Sequence, residues 1–360
     1  MEADRTEALR EAVIAALAAR RCLRIAGAGT KDFLTLPDFA AAGVCDRLDV
    51  AGHAGILHYD PAELVLTARA GTPLAAIEAT LAGAWQMLAF EPPHFGSGAT
   101  LGGTVASGLS GPRRPFAGSV RDHVLGCRLI NGRGEVLSFG GQVMKNVAGF
   151  DIARLMAGAR GALGVLLEVS LRVVPRPECE RTLALPMDAG LAITSMNRWS
   201  GQPWPISALA HLDGWTYVRL AGHESALKAT QAALGGDWVV GDAPFWQALR
   251  EQSCRFFRYP PLGQRLWRLS LAPATPVPAL AGHWLYDWGG ALRWLRSDAP
   301  PAVIHAAAGQ TGGHARLFRG DPVAVPAHAG LPSALLDLHR RVKSAFDPQG
   351  VFNPGLVVAA

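Results

Sequence analysis

Three glycine-dense segments of the sequence could present backbone amides to a phosphate group. The first is Ala26-Gly27-Ala28-Gly29-Thr30-Lys31, the second lies within residues 92–108, and the third is residues 158–165. Glycine has no Cβ, so another surface can approach its backbone, and glycine-rich loops that open helices bind anions, most often a diphosphate. Because apolar, strand-like residues flank these segments, the pattern indicates a site for a large, flat, phosphorylated cofactor. Glycine alone is a weak signal in a chain that contains 41 of them.

The first segment follows the apolar run at residues 22–25 and ends in Thr30 and Lys31, an order that suits a phosphate cradle. It is not a P-loop, because the Gly-Lys-Ser/Thr order is missing, and it lacks the three spaced glycines of the dinucleotide fingerprint. On these residues alone, a plain turn between a strand and a loop stays an equal alternative.

The cysteines and histidines predict no metal site. The five cysteines lie far apart in the sequence, whereas zinc and iron–sulfur sites need grouped thiolates. The eleven histidines show no His-x-x-x-His or His-Glu-x-x-His pairing. We therefore expect each cysteine to be a small hydrophobic residue of the core.

The charge pattern argues against nucleic acid as a partner. The net charge is +5, the basic residues are scattered, and no basic stripe with interleaved aromatic residues occurs. The positive net charge agrees equally well with a site that binds small anions.

No apolar run approaches the ~20 residues needed to span a bilayer, and the N-terminus is acidic and mixed, unlike a signal peptide. These features predict a cytoplasmic protein.

Hydrophobic periodicity and turn residues predict alternating helices and strands in the first half of the chain. Thr72 suits a helix N-cap with Pro73 in the first turn, and Asp151 is predicted to cap a helix through Met156. The predicted helices there are residues 7–20, 73–81, 101–107 and 151–156; the predicted strands are 22–25, 44–50, 55–58, 64–70, 86–88, 124–130, 135–139 and 165–174.

The pair Pro175 and Pro177 marks a predicted domain boundary, because the composition changes after it. Nine of the ten tryptophans lie at residues 199–294, among predicted strands at 183–185, 208–213, 217–220 and 267–271 and helices at 225–234 and 244–251. This pattern favours an α+β domain with an antiparallel sheet. The tryptophans would pack on the sheet or form an aromatic substrate pocket or a partner surface. A C-terminal helix at residues 331–346 precedes a tail that carries Val351 and Phe352, which we expect to dock.

The segments 26–31, 99–103, 143–151, 161–165 and 347–355, taken in order, resemble FAD-binding oxidoreductases of the vanillyl-alcohol oxidase and p-cresol methylhydroxylase (PCMH) fold. The resemblance is closer to the FAD-binding subunits of bacterial glycolate oxidases. It is carried by Glu91-Pro92-Pro93-His94, Gly111-Pro112-Arg113-Arg114-Pro115, Gly118-Ser119-Val120-Arg121-Asp122 and Val143-Met144-Lys145-Asn146-Val147-Ala148-Gly149. It covers most of residues 22–178 and the last thirty residues.

The resemblance implies an α+β fold with three parts. Residues 1–178 would form a two-subdomain PCMH-type FAD-binding domain, residues 179–330 an α+β cap domain with an antiparallel sheet, and residues 331–360 a C-terminal helix and tail that return to the FAD domain. FAD would be non-covalent, because Thr30 stands where relatives with covalent flavin have histidine. The residues implied to bind the cofactor are Ala26, Gly27, Ala28, Gly29, Thr30, Lys31, Pro92, Thr100, Leu101, Gly102, Gly103, Ala106, Ser107, Lys145, Gly161, Gly164, Val165 and Asn353.

Relatives that oxidise 2-hydroxy acids carry a histidine-containing Gly-Asp-Gly-Asn segment in the cap, and this chain lacks it. The one candidate for a catalytic base is His314. The alternative is that His314 has only a structural role. Lys145 would stabilise reduced flavin at its pyrimidine edge, or contact the diphosphate or solvent. Arg113 and Arg114 would receive a substrate carboxylate or contact a partner subunit. The catalytic residues are otherwise unassigned.

These features predict an FAD-binding subunit of a complex that oxidises glycolate, a small 2-hydroxy acid, to glyoxylate. The chain would accept electrons from glycolate or relay them from a sister FAD subunit, which we favour, and pass them to an iron–sulfur subunit. It would touch the inner membrane only through that complex. The alternatives are a self-sufficient FAD-dependent dehydrogenase of D-lactate or a similar acid, and an assembly subunit without flavin.

Overall fold

A computed structural model of the chain describes residues 3–34, 45–141, 151–258, 263–320 and 332–355. The helices are α1 (Thr6–Ala18), α2 (Leu74–Gly83), α3 (Leu101–Ser107), α4 (Arg114–Ala117), α5 (Val120–His123), α6 (Ile152–Leu155), α7 (Ala189–Ser200), α8 (Glu224–Leu234), α9 (Ala243–Arg250), α10 (Arg255–Arg258), α11 (Pro301–Gln310) and α12 (Ser333–Phe346). Among these, no helix has the length and apolar character needed to cross a membrane.

The strands are β1 (Leu23–Ala26), β2 (Asp46–Asp49), β3 (Ile56–Asp60), β4 (Val65–Arg69), β5 (Gln86–Met87), β6 (Val124–Ile130), β7 (Val136–Gly140), β8 (Val165–Arg172), β9 (Val174–Pro175), β10 (Cys179–Pro186), β11 (Ile206–Leu212), β12 (Trp215–Gly222), β13 (Asp237–Trp238), β14 (Arg265–Ser270), β15 (His283–Asp287), β16 (Leu292–Ser297) and β17 (His314–Arg319).

The first compact unit comprises Met1–Ser110, Gly118–Arg176 and Leu331–Ala360. Its main sheet is antiparallel throughout, in the order β3-β4-β8-β6-β7, while β1 and β2 form a separate parallel pair. β8 is buried on both faces of the sheet. Successive side chains of a strand point to opposite faces, and nearly all of those of β8 are apolar and buried. The helix α1 buries Leu9, Val13 and Ala16, which share one helical face.

The second unit comprises Gly111–Ala117 and Pro177–Gly330. It contains an antiparallel sheet in the order β13-β10-β12-β11-β15-β16-β14-β17. One core joins α7 to β11 and β12 around Met196 and Leu209, and another joins α11 to β14 and β17 around Trp267 and Ile304. Five of the tryptophans in this unit are buried (Trp199, Trp246, Trp267, Trp288 and Trp294), so packing accounts for much of the tryptophan content.

The predicted α+β class is confirmed, since helices are mixed with antiparallel sheets. The second unit includes residues 111–117 and begins its main segment at Pro177, whereas the sequence-based division places a boundary after residue 178. The predicted helix at 101–107 and the cap at Asp151 are confirmed. Thr72 as an N-cap is wrong: Pro73 occupies that position, and the Thr72 hydroxyl instead exchanges hydrogen bonds with the backbone of Gly55.

The interpretation of every cysteine as a core hydrophobe is wrong for Cys22 and Cys45, which form a disulfide. The parallel register pairs Leu23 with Asp46, so the residues just before these strands also lie opposite each other, with Cα atoms 4.8 Å apart. Cys127 does lie in the core, where burial raises the pKa of its thiol to about 12.

Candidate cofactor site

A cleft in the first unit brings together most of the predicted cofactor residues. The cleft, together with the open space at its mouth, has a volume of about 910 Å³. The predicted residues that line it are Ala26, Gly27, Ala28, Gly29, Thr30, Lys31, Thr100, Gly102, Gly103, Ala106, Ser107, Gly161, Gly164 and Asn353.

The first wall of the cleft is the bend after β1. The strand pairing ends where the Val50 N–H donates to the Ala26 carbonyl at 2.8 Å, and a turn closes where the Asp32 N–H donates to the Gly29 carbonyl at 3.1 Å. Between these points, the amides of residues 27–30 donate to no other group in the described part of the chain. They are therefore available to an anion in the cleft.

Glycine is required in this bend for two reasons. Gly29 has φ +77°, a left-handed conformation that side chains rarely adopt. A Cβ on Gly27 would lie 2.6 Å from Thr100 Oγ1, so the backbone of the bend packs directly against the start of α3. Lys31 extends from the bend, and its Nζ donates to the His94 carbonyl at 3.3 Å.

The second wall is formed by α3 and the strand end behind it. Thr100 caps this helix by accepting a hydrogen bond from the Gly103 N–H at 3.3 Å. A Cβ on Gly102 would lie 2.7 Å from the Ala70 Cβ, so only glycine lets α3 pack this close to residue 70. Ala106 and Ser107 continue the same lining surface.

The third wall is the bend at residues 159–164, which Asn353 connects to β1. Asn353 Oδ1 accepts a hydrogen bond from the Ile25 N–H at 2.8 Å, and Asn353 Nδ2 donates to the Arg160 carbonyl at 2.6 Å. Gly161 has φ +74°, and a Cβ there would lie 2.6 Å from Asn353 Nδ2. One asparagine side chain thus fixes two separate segments of the cleft wall.

An ion pair between half-buried Lys343 and buried Asp347 holds the segment that carries Asn353. Lys343 Nζ contacts Asp347 Oδ2 at 2.5 Å and donates to the carbonyls of Ala162 and Phe352 at 2.7 and 2.8 Å. The Asp347 carboxylate in turn accepts from the N–H groups of Val351 and Phe352 at 2.9 and 2.8 Å. Burial lowers the pKa of Lys343, and Asp347 opposes that shift. The sequence showed only turn signals here, so this pair was missed.

Several predicted residues do not line the cleft. Pro92, Leu101 and Val165 are buried and are absent from its lining, and Lys145 lies outside the described residues. Their proposed contact with the cofactor stays a prediction. The lining residues that the prediction omitted are Ile25, Asp32, Leu34, Val50, Ala70, Met156, Ala159, Arg160 and Leu166. Most of them are apolar neighbours of the predicted bends in the sequence.

The other candidate side chains belong to the second unit. His314 begins β17 and is exposed at the surface, but partial burial of its imidazole and the charge of Arg268 lower its pKa. Arg113 is buried against the Glu180 carboxylate, and the Arg114 guanidinium lies 4.2 Å from the ring centre of Trp288. Across the described ranges of the chain, no group of three histidine, cysteine or acidic side chains is arranged to hold a metal ion.

The cleft fits FAD by the chemistry of its walls. Available backbone amides at residues 27–30 match a diphosphate, and the glycines at 27 and 102 have no room for a side chain. Apolar side chains of Ile25, Val50 and Leu166 offer contacts for flat rings.

Comparisons with known proteins show what this chain is similar to. Residues 1–140 match the FAD binding domain family. The chain is 48% identical over 359 residues to glycolate oxidase subunit GlcE of Escherichia coli (strain K12), covering 99% of each chain. It is also 36% identical over 96 residues to glycolate oxidase subunit GlcD of Bacillus subtilis (strain 168), covering 26% of this chain and 20% of that one.

A solved structure of alkyldihydroxyacetonephosphate synthase superposes with a TM-score of 0.66 at 13% identity, covering 97% of this chain and 74% of that chain. This likeness shows a shared fold, which is of the predicted PCMH type. The full-length similarity shows more: the chain belongs to the family of the bacterial glycolate oxidase subunit GlcE and carries an FAD-binding domain.

Proposed function

We propose that this chain is the FAD-binding subunit of a glycolate oxidase complex. The observation that carries the proposal is that residues from three separate segments, 26–31, 100–107 and 161–164, line one cleft together with Asn353. Similarity along the whole chain to a glycolate oxidase subunit supports the same conclusion. The chain is thus one part of a multi-subunit oxidoreductase that acts on a 2-hydroxy acid.

The cofactor would be held mainly by the backbone. The amides of residues 27–30 would receive the diphosphate, the helix α3 would pack beside it through Gly102 and Gly103, and the bend at Gly161 would border the remainder. Thr30 stands where relatives with covalent flavin have histidine, so the binding would be non-covalent. Bound flavin supplies two-electron redox chemistry, and the chain contributes its binding, orientation and exclusion of water.

We favour electron relay over substrate oxidation on this chain. Oxidation of glycolate to glyoxylate releases two electrons and two protons, so the oxidising subunit needs a positioned base for the hydroxyl proton. The lowered pKa of His314 keeps its imidazole neutral near pH 7, which suits a base, but the side chain makes no hydrogen bond within the described residues that would orient it. A sister FAD subunit would therefore carry out the oxidation.

Electrons would leave through an iron–sulfur subunit. The disulfide uses two of the five cysteines, and Cys127, Cys179 and Cys254 are far apart in the sequence. The chain would thus relay electrons between partners and reach the inner membrane only through them.

Anaerobic reduction with the purified holo-chain tests the proposal. The isolated chain should be yellow, with flavin that glycolate and D-lactate leave oxidised. Adding the sister and iron–sulfur subunits should make the same flavin reducible by glycolate. Bleaching of the isolated chain by D-lactate would favour a self-sufficient dehydrogenase, and a colourless chain that still assembles would favour a flavin-free subunit.

A further inference from the structure

The Cys22–Cys45 disulfide stands at the start of the two strands that lead into the cofactor cleft. Cys22 comes directly before β1, and Cys45 comes directly before β2. β1 runs into the bend whose amides at residues 27–30 are available to an anion, and Val50, just after β2, lines the same cleft. The disulfide and the bend therefore lie at opposite ends of one strand pair.

This strand pair is a small sheet of its own. Its strands are parallel, and its four register pairs run from Leu23 with Asp46 to Ala26 with Asp49. Isolated two-stranded sheets are marginally stable, and parallel pairing is slightly weaker than antiparallel pairing. A cross-link at the start of the pair therefore matters for the bend at its end.

The two strands differ in their other support. The C-terminal tail holds β1, since the Leu23 N–H donates to the Val351 carbonyl at 2.7 Å and the Asn353 N–H donates to the Leu23 carbonyl at 2.9 Å. Among the described residues, β2 pairs with no strand except β1, and Leu48 is its one buried side chain. β2 is thus the strand that depends more on the cross-link.

Two noncovalent contacts accompany the disulfide at the start of the pair. The Asp46 N–H donates to the Cys22 carbonyl at 3.0 Å, and the Asp46 carboxylate pairs with Arg21. The side chains of Arg21 and Asp46 are 56% and 40% exposed, and exposed ion pairs contribute little to stability. The covalent bond is therefore the strong connection between the starts of the two strands.

Movement of β2 would reach the cofactor site through Ala26. The Val50 N–H donates to the Ala26 carbonyl at 2.8 Å, which is the last hydrogen bond of the pair before the bend. The next residue, Gly27, packs directly against α3, where a Cβ would lie only 2.6 Å from Thr100 Oγ1. A shift of Ala26 would thus change both the direction of the amides and their distance from α3.

A thiol reagent can reach the disulfide from solvent. Cys22 and Cys45 are both partly exposed, and labile, regulatory disulfides are typically the exposed ones. The third cysteine of this unit, Cys127, is buried, and its thiol has a pKa of about 12. Since only the thiolate exchanges with a disulfide, Cys127 is a poor competitor for either sulfur.

We propose that the Cys22–Cys45 disulfide is a redox switch for FAD retention, a role that rests on the proposed contact between residues 27–30 and the diphosphate. A dithiol reductant would supply two electrons and two protons. Its own two sulfurs would form a disulfide, while the Cys22–Cys45 bond breaks to give two thiols. With the bond intact, β2 holds the bend in place and FAD binds tightly. With the bond broken, β2 loosens and the affinity for FAD falls.

Titration of the flavin-free full chain with FAD tests the switch, with the disulfide either intact or reduced by dithiothreitol. Quenching of flavin fluorescence would give the dissociation constants, and we expect reduction to raise the constant at least tenfold. The double variant Cys22→Ser with Cys45→Ser should bind FAD like the reduced native chain under both conditions. The matched control is Cys179→Ser, which removes a free thiol of the second unit and should respond to dithiothreitol like the native chain.

A reciprocal measurement on the native chain needs no variant. If the disulfide raises the affinity for FAD tenfold, bound FAD must favour the disulfide over the two thiols by the same factor. For a two-electron couple, this factor makes the midpoint potential of the disulfide about 30 mV more negative. Equilibration in dithiothreitol redox buffers with and without saturating FAD, followed by alkylation of the free thiols and mass spectrometry, would measure the shift.

The outcomes separate the switch from the cofactor site. Equal affinity for FAD in the two states, or an unchanged midpoint potential, would overturn the switch and leave the proposed function standing. Failure of the oxidised chain to bind FAD would overturn the cofactor site as well. Circular dichroism at the temperature of the titration should not change on reduction. If reduction unfolds the chain, the disulfide is a structural cross-link and the inference is wrong.

Discussion

Asn353 accepts a hydrogen bond from the backbone N–H of Ile25 at 2.8 Å, although the two residues are 328 positions apart in the sequence. The same side chain donates to the Arg160 carbonyl, so it joins the C-terminal tail, β1 and the bend at 159–164. The backbone supports this connection, because the Asn353 N–H donates to the Leu23 carbonyl at 2.9 Å. The tail thereby forms part of the wall of the cleft.

We predict that Asn353→Ala lowers both flavin content and stability. The substitution leaves the Ile25 N–H and the Arg160 carbonyl without their partner, and such a loss costs about 1–3 kcal/mol. The flavin-to-protein ratio and the free energy of unfolding in urea would measure this effect. Asn197→Ala is the control, since Asn197 donates to the Ile193 carbonyl within the second unit. Full flavin content in Asn353→Ala would show that the connection does not shape the cleft.

We predict that Gly102→Asp abolishes FAD binding. A Cβ at this position would meet Ala70 at 2.7 Å, and the carboxylate would place a negative charge beside the proposed diphosphate site. Gly83→Asp is the control, because a Cβ there has no neighbour within 4 Å and the residue is exposed. Absorbance of the purified variants near 450 nm would report their flavin. If Gly102→Asp stays as yellow as Gly83→Asp, α3 does not border the cofactor.

The bend at 26–31 and the helix α3 were predictable from the sequence, because the residues that determine each of them are close together in the chain. The bend at 26–31 follows an apolar strand, and α3 begins at a capping threonine, so both were placed correctly. The resemblance also implied Leu101 and Val165, which the phase of their helix and strand buries in the core. Neighbouring residues of a helix or strand face the cleft and the core in turn. A resemblance that covers a whole segment does not tell which of its residues face the cleft.

The non-local parts were not predictable. The Cys22–Cys45 disulfide depends on the register of two parallel strands, and the Lys343–Asp347 pair gains its role only from contact with Ala162. The strands β15 and β16 were missed, because β15 has only three apolar residues between His283 and Asp287 and two arginines interrupt the apolar pattern of β16. Each of these features is fixed by contacts between distant segments, about which a single sequence carries little information.

We predict that the Cys22–Cys45 disulfide stabilises the first unit by about 2–4 kcal/mol, as is typical for a loop of this length. The bridge closes the loop that contains residues 27–30, so it restricts the unfolded chain. Thermal unfolding with and without a reductant would measure the effect. The double variant Cys22→Ser with Cys45→Ser should lose sensitivity to the reductant, whereas Cys179→Ala should keep it. An unchanged melting temperature on reduction would contradict this prediction.

We predict that stability falls with pH below about 6.5 partly through His53. Burial lowers the pKa of His53 in the folded chain, where its Nδ1 accepts a hydrogen bond from the Arg5 N–H at 3.0 Å. Between that lowered pKa and the ordinary value of 6.5, the unfolded chain binds more protons, so acid favours unfolding. His53→Gln should have a shallower dependence of unfolding free energy on pH between 7.5 and 5.5, roughly the range of an ordinary histidine titration. Equal slopes in the two proteins would contradict this assignment.

The most direct test of the cofactor site is titration of the flavin-free chain with FAD and, separately, with riboflavin, followed by quenching of flavin fluorescence. If the amides of residues 27–30 bind the diphosphate, one FAD should bind per chain and riboflavin should bind at least a hundredfold more weakly. Equal affinity for the two compounds, or no binding of FAD, would contradict the account.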